Sequence, residues 1–160
     1  MLKIPFALCA GLIGLAAIAL SEGPGAVSPA AAISARQASL DLSSITLRSM
    51  GDAIKAGREP KSQAYAAMSL AKWAKALPGM FPAGTGKGET SADTQALAAV
   101  WQDRAGFDRA AANYVSATAR LAALAGANDA AAFTKQLDEV NQACGACHAK
   151  YKEGAQGPPK

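Results

Sequence analysis

With 160 residues, the chain is long enough for a single domain. Hydrophobic residues make up 51% and aromatic residues only 6%. Since alanine, the best helix former, supplies much of the hydrophobic share, the composition favours packed helices. The net charge of +4 is mild and spread along the chain, which argues against nucleic-acid binding and favours a solvated basic surface.

Residues 1–32 are typical of an export signal. Lys3 gives a positive start, residues 4–20 form an apolar run, and a small and polar stretch follows with an A-x-A-like cleavage site at Ala30-Ala31-Ala32. The run is slightly short for a membrane-spanning helix. The sequence therefore predicts a secretory signal peptide over 1–32, a domain over 33–160 and a periplasmic location. A retained N-terminal membrane anchor is the alternative.

Hydrophobic periodicity predicts two helices in the first half of the domain. The first runs from Ile33 to about Gly57 and the second from about Pro60 to Leu77, where Pro78 stops it. Apolar residues recur on one face of each helix, as they do in bundles; these are Ile33, Leu40, Leu47 and Ile54 in the first, and Ala66, Leu70, Trp73 and Leu77 in the second.

Two further helices are predicted beyond a loop rich in proline and glycine, residues 78–90. Ser91 or Asp93 can cap the third helix. A turn at Asn128-Asp129 precedes the fourth, and a loose tail follows from Gly154. The apolar stripe of the third helix extends from residue 97 to residue 121. Short connections between four amphipathic helices predict an all-α, antiparallel, up-down-up-down four-helix bundle.

Near the C-terminus, Cys144-Gly145-Ala146-Cys147-His148 forms the C-x-x-C-H signature of c-type haem attachment. On a helix these three side chains share one face, so the thiols can reach the porphyrin vinyl groups while His148 lies under the iron. A thioredoxin-like redox pair needs a βαβ context, whereas the predicted elements are all helices. A structural zinc site needs about four ligands, whereas residues 33–160 contain only two cysteines and one histidine. The motif therefore predicts one covalent haem c with His148 as axial iron ligand.

The sixth iron position separates two functions. His148 is the only histidine in the sequence, so a second histidine ligand is excluded. Met80 lies in the loop at the haem end of the predicted bundle and is the methionine best placed to ligate. The alternative interpretation of Met80 is packing over the haem edge or the core.

The chain resembles the cytochrome c′ family over the whole of its mature length. Four elements carry the resemblance: Arg36-Gln37-x-x-Leu40, Leu77-Pro78-x-x-Phe81 followed by Gly84-Thr85, Trp101, and the C-terminal motif. The resemblance implies a left-handed four-helix bundle, usually a homodimer, with haem c bound by histidine alone. The position of Leu40 covers the distal iron face in the family. Leucine cannot ligate, so the resemblance implies five-coordinate, high-spin iron.

Other site residues follow from the resemblance alone. It implies that Arg36 and Gln37 lie near the haem propionates, although a polar helix edge would also explain them. Phe81 is expected near the haem, with core packing as the alternative, and Lys152 beside the proximal histidine, with a solvated lysine as the alternative. Loop residues Glu89 and Thr90 are expected to line the haem. Two apolar residues of the first helix lie off its main apolar face and could form a dimer face, with scattered surface apolar residues as the alternative; these are Leu42 and Ile45.

These features predict a periplasmic haem protein that is not an enzyme and that binds nitric oxide or carbon monoxide under the aliphatic lid of Leu40. Bound O2 gains little stabilisation where no hydrogen-bond donor is near. Peroxidase chemistry is not expected, because the sequence offers no distal histidine. The competing hypothesis is a low-spin electron-transfer cytochrome with Met80 as sixth ligand and a redox partner protein.

Overall fold

A computed structural model describes residues 27–154 of the chain, and this part is helical almost throughout. Most of the predicted signal segment and the end of the predicted tail lie outside the described residues. The elements are α1 (Pro29–Lys55), a 3-10 turn (Pro60–Gln63) that leads into α2 (Ala64–Ala76), a second 3-10 turn (Leu77–Met80), α3 (Ala99–Gln102), α4 (Arg104–Ala127) and α5 (Ala130–Tyr151).

Helix α1 begins four residues before the predicted start at Ile33. The hydroxyl of Ser28 accepts a hydrogen bond from the amide of Ala31, which caps the helix, and Pro29 occupies the first turn. The A-x-A sequence at residues 30–32 therefore lies within the first turn of α1. Within residues 27–154, no helix has both the length and the apolar character needed to cross a membrane.

The fold is a four-helix bundle, as predicted, in which α4 packs closely against α2 and α5 while α1 lies against α2 and α5 more loosely. The main core continues to the end remote from the motif, where Leu121, Ala125 and Phe133 are completely buried. At that end α4 stops at Asn128 in the left-handed conformation (φ 59°), and the carboxylate of Asp129 caps α5. The predicted turn is confirmed at the predicted residues.

The predicted start of the third helix was wrong. Neither Ser91 nor Asp93 caps a helix, because an irregular connector (residues 81–98) continues to α3, which itself ends after one turn. Asp103 then interrupts the helix (φ −118°, ψ 56°), and its carboxylate caps α4 by accepting from the amide of Gly106 at 3.1 Å. The third helix of the bundle is therefore α3 and α4, broken at Asp103.

The connector is held against the end of α5. An isolated antiparallel bridge pairs Ala96 with Lys152: the amide of Leu97 donates to the carbonyl of Tyr151 at 3.0 Å, and that of Glu153 donates to the carbonyl of Gln95 at 2.8 Å. Within the described range this bridge is the only strand-like pairing. It brings the connector to the end of the bundle where the C-x-x-C-H motif lies.

Candidate haem-binding site

The two cysteines and the histidine of the motif share one cavity. Cys144, Cys147 and His148 lie near the C-terminal end of α5, are each half-buried, and all line this cavity. Their spacing of three and four residues explains the common face. Both cysteines are free thiols.

The cavity has a volume of about 510 Å³, within the range of small-molecule and cofactor sites. It opens between α1, α4 and α5, with the connector on a further side. Its inner wall is largely apolar, and its exposed rim is polar. The apolar lining is Leu40, Leu47, Leu77, Phe81, Phe107, Ala110 and Ala111, and the exposed polar lining is Gln37, Asp41, Ser44, Asp93, Gln95 and Lys152.

Arg36 is the most deeply buried charged residue at the site, with an exposed fraction of 2%. Its guanidinium donates to the hydroxyl and carbonyl of Thr85 (both 3.0 Å), the hydroxyl of Thr94 (2.8 Å) and the carbonyl of Met80 (3.3 Å). It also stacks over the ring of Phe81 at 4.4 Å. Burial lowers the pKa of Arg36. All of these acceptors are neutral, so among residues 27–154 the Arg36 charge has no carboxylate partner.

Aromatic side chains join the connector to the helices beside the cavity. The ring of Phe81 lies edge-on to Phe107 with centroids 4.9 Å apart, and Phe107 meets Tyr151 in the same way at 5.4 Å. The indole of Trp101 donates to the carbonyl of Phe81 at 3.2 Å. This cluster holds Phe81 at the cavity wall.

The end of α5 that carries the motif is also attached to the break between α3 and α4. The carboxylate of Asp103 accepts from Lys150 and from the hydroxyl of Tyr151 at 3.0 Å. Hydrogen bonds from Lys150, Tyr151 and the amide of Gly106 lower the pKa of Asp103 to about 2. The side chain of Asp103, which caps α4, thus also anchors the end of α5 at Lys150 and Tyr151, two and three residues beyond His148.

Burial sets the protonation of the motif. It lowers the pKa of His148, and the nearby charge of Lys152 lowers it further, which favours the neutral imidazole that binds metals. Burial, with a smaller contribution from Cys147, raises the pKa of Cys144 to about 11. Burial also raises the pKa of Cys147. In the free chain both thiols therefore stay protonated at neutral pH.

Not every sequence-predicted residue reaches the cavity. Arg36, Gln37, Leu40, Phe81 and Lys152 line it, and the side chain of Gln37 donates to the carbonyl of Asp93 at 3.0 Å.

The loop residues behave differently. Glu89 turns back on its own loop and accepts from the amide of Gly86 at 2.7 Å, while the hydroxyl of Thr90 accepts from the amide of Ala92 at 3.2 Å. Both residues lie outside the cavity lining, and so does Met80.

Sequence reasoning did not assign several residues of the wall to the site, and three of these carry hydroxyls. Ser43, Tyr114 and Thr94 line the cavity, and the hydroxyl of Thr94 also accepts a hydrogen bond from Arg36. Tyr114 belongs to the apolar stripe of the third helix, so its inward position was predictable while its place at the site was not. Burial is the main cause that raises the pKa of Tyr114 to about 12. The hydroxyl of Ser43 donates to the carbonyl of Ser39 at 2.8 Å.

The chemistry of the lining fits an iron porphyrin. One imidazole can bind the metal, two thiols stand on the same helix face, and the inner wall suits an apolar macrocycle. The buried cation of Arg36 and the rim residues Gln37 and Lys152 suit carboxylate groups at the cavity edge.

Comparisons with known proteins identify the family. The family model described as Cytochrome C′ matches residues 31–152. The cytochrome c′ of Rhodospirillum rubrum is 32% identical over 139 residues, which cover 86% of this chain and 92% of that protein.

Solved structures agree with the sequence relatives. The cytochrome c′ of Rubrivivax gelatinosus matches with a TM-score of 0.70 and 28% identity, covering 78% of this chain and 97% of that chain. Cytochrome c prime from Shewanella frigidimarina matches with a TM-score of 0.68 and 30% identity, covering 78% and 96%. A family match across the entire bundle, together with a motif face that suits haem, places the chain in the cytochrome c′ family of haem proteins.

Proposed function

We propose that this protein is an exported c-type haem protein that binds nitric oxide or carbon monoxide at five-coordinate iron. One haem c is attached covalently through Cys144 and Cys147, and His148 is its one protein ligand. The composition of the cavity wall carries this proposal. Among residues 27–154, the lining contains one histidine and no methionine, while α1 presents Leu40.

Leu40 determines what can enter the space that a sixth ligand would fill. It lies on α1, packs against the main core and lines the cavity together with Leu47, one heptad further along. An aliphatic side chain supplies no donor atom to a metal, and its bulk opposes larger ligands. The bound cofactor supplies the iron site, and Leu40 acts as the lid over it.

On α1, Ser43 has no free hydroxyl hydrogen for a ligand, because it donates to the carbonyl of Ser39 at 2.8 Å. A polar ligand such as O2 depends on a free donor for stabilisation. The aliphatic Leu40 and the engaged hydroxyl of Ser43 therefore favour neutral diatomics that bind without such help. A protein of the same fold, cytochrome c prime from Alcaligenes xylosoxidans, forms nitric oxide complexes in two mutant forms; at 22% identity that likeness supports the fold alone.

Arg36, Gln37 and Lys152 orient the cofactor through its carboxylates in this proposal. The buried Arg36 acts mainly through its charge, because four protein acceptors already occupy its guanidinium. Lys152 lies at the exposed rim, four residues after His148. The proposed contacts of Glu89 and Thr90 with haem would require both side chains to leave their present loop partners.

Electron transfer with Met80 as sixth ligand is the alternative. The carbonyl of Met80 accepts from Arg36, and the side chain would have to turn into the cavity to reach a metal there. Passing electrons to a redox partner protein remains compatible with five-coordinate iron. No enzymatic role forms part of the proposal.

The proposal also includes a periplasmic location and a homodimer. Residues 1–26 lie outside the described residues, and cleavage before Ser28 would leave the capped start of α1 intact. Leu42 and Ile45 are 62% and 59% exposed on α1, which suits the predicted dimer face. Light scattering of Leu42→Glu and Ile45→Glu would give monomers if this face forms the dimer; dimers unchanged in mass would place it elsewhere.

The optical spectrum of the holoprotein tests the central claim. We expect high-spin bands in the ferric and ferrous states and a new spectrum when carbon monoxide is added to the ferrous protein. Sharp low-spin ferrous bands that carbon monoxide leaves unchanged would show a sixth protein ligand. Loss of those bands in Met80→Leu would then identify Met80.

Leu40→Ala tests the lid. We expect carbon monoxide association to speed up by about tenfold, which corresponds to about 1.4 kcal/mol of barrier removed. Leu42→Ala makes the same change on an exposed position of the same helix and should leave the rate unchanged. Equal rates for both variants and the wild type would contradict the role of Leu40.

A further inference from the structure

A second cavity of about 520 Å³ lies between α1 and α5, beside the haem-binding cavity. Its floor is apolar and is formed by Leu47, Ile54 and Leu137. Its mouth is charged: Arg48, Asp52, Lys55 and Asp138 surround it, and Lys55 pairs with Asp52 at 3.6 Å on the surface. No step of the proposed function uses this space.

The two cavities share part of their walls. Ser44, Leu47 and Cys144 line both of them. Leu47 is almost fully buried, at 7% exposed, so it stands between the two spaces. The second cavity thus reaches the haem-binding cavity at the edge where Cys144 attaches the cofactor in the proposed function.

One face of α1 runs along both cavities. Leu40, Leu47 and Gly51 follow at intervals of seven and four residues, which keeps them on nearly the same side of the helix. The distance from Gly51 to Leu40 is about 16 Å along the helix. A Cβ atom at Gly51 would have no heavy atom within 4 Å. The missing side chain of Gly51 therefore leaves the outer part of this face open.

We infer that the second cavity is the route by which a neutral diatomic ligand enters from solvent, passing Gly51 and Leu47 to reach the space under Leu40. This inference rests on the proposed function and adds a path to it. The apolar floor selects for uncharged molecules, because a small ion such as nitrite would lose its hydration there. The looseness of α1 against α5 leaves room for Leu47 to move aside.

Filling the route tests the inference. Gly51→Phe places a large ring in the open space without a backbone penalty, since Gly51 is helical and is not among the glycines with positive φ. Gly126→Phe is the matched control: this glycine is also helical, also has no heavy atom near its Cβ position, and lies at the far end of α4. Gly51→Leu places a smaller side chain in the same space and serves as the test if phenylalanine disturbs the fold.

The measurement is carbon monoxide rebinding to the ferrous holoprotein after flash photolysis, together with the dissociation rate. A barrier along a path changes both rates by the same factor and leaves their ratio unchanged. We expect association and dissociation to slow together by about fivefold in Gly51→Phe, less in Gly51→Leu, and not at all in Gly126→Phe.

The outcomes distinguish a failure of the entry route from a failure of the proposed function. Unchanged rates in Gly51→Phe, with normal binding by the wild type, would overturn the route alone. A change in the dissociation constant would also overturn it, since Gly51 would then act on the binding site itself. A wild-type protein that binds no carbon monoxide would overturn the proposed function and the route with it.

Discussion

Arg36 ties α1 to the connector, so its removal tests how the site is held together. Arg36→Ala deletes all four hydrogen bonds of the guanidinium and its stacking on Phe81. The hydroxyls of Thr85 and Thr94 lose a charged donor in surroundings where both residues are at most 5% exposed. Arg36 thus holds the first part of the connector, at Thr85, and its last part, at Thr94, which lines the cavity.

The magnitude follows from two opposing contributions. Hydrogen bonds to a charged group contribute about 1.5–3 kcal/mol each, so four of them would give about 6–12 kcal/mol, which is comparable to the whole stability of a small domain, about 5–15 kcal/mol. Burying the guanidinium costs several kcal/mol, however, and alanine removes that cost as well. We therefore expect Arg36→Ala to lower the free energy of unfolding by about 3 kcal/mol, near the low end for breaking a buried charged network.

Urea unfolding of the holoprotein, followed by haem absorbance and far-UV circular dichroism, measures this loss. Arg120→Ala, at an exposed position of α4, should stay within about 0.5 kcal/mol of the wild type. Arg36→Lys keeps the charge but cannot donate in the planar fork that reaches both threonines, so it should fall between the two. A loss below about 1 kcal/mol in Arg36→Ala, or full stability in Arg36→Lys, would refute the reasoning.

Two further predictions concern the helix ends. Hydrogen bonds lower the folded-state pKa of Asp103 from 3.8 to about 2, so its stabilising contribution is complete above about pH 4 and is lost as pH falls towards 2. Asp103→Asn should flatten this part of an acid titration followed by circular dichroism. Asp108→Asn, whose carboxylate pairs only within α4 with Arg104, should not, and equal curves for both variants would contradict the anchor. In urea unfolding, Gly51→Ala should stabilise by about 0.5–1 kcal/mol, whereas Gly57→Ala, where φ is +78°, should destabilise by about 1 kcal/mol; the same sign for both would refute the conformational argument.

Periodicity and turn chemistry predicted the fold because they are local signals. The heptad spacing of Ile33, Leu40 and Leu47 places the first and last in the interior and Leu40 half-buried on the same side, and Asn128 adopts the left-handed conformation that ends α4. The break at Asp103 could not be predicted in this way. The apolar stripe continues through it, and the groups that hold the carboxylate, Lys150 and Tyr151, lie more than forty residues away.

In the candidate site, too, the features set by local sequence were predictable and those set by distant contacts were not. The motif alone placed two thiols and an imidazole on one face, because helix geometry follows from spacing. The environment of Arg36 was beyond such reasoning: the resemblance implied a position near the haem propionates, with a polar helix edge as the alternative, but Arg36 is buried because Thr85 and Thr94 approach it from the distant connector. Glu89 was expected in the site, but the amide of Gly86, three residues away, holds its carboxylate.

The position of His148 therefore depends on more than the helix that carries it. Tyr151 is held through Asp103 by the break between α3 and α4, and the backbone on both sides of Lys152 is bonded to the connector at Leu97 and Gln95. These two attachments begin within one helical turn of the imidazole. Because the connector is in turn anchored by Arg36 on α1, the helices that carry the proposed lid, Leu40, and the proposed iron ligand, His148, are joined through the connector. In the proposed function the connector therefore helps to fix the separation between α1 and α5, and with it the space for a small ligand, although its residues do not bind the iron.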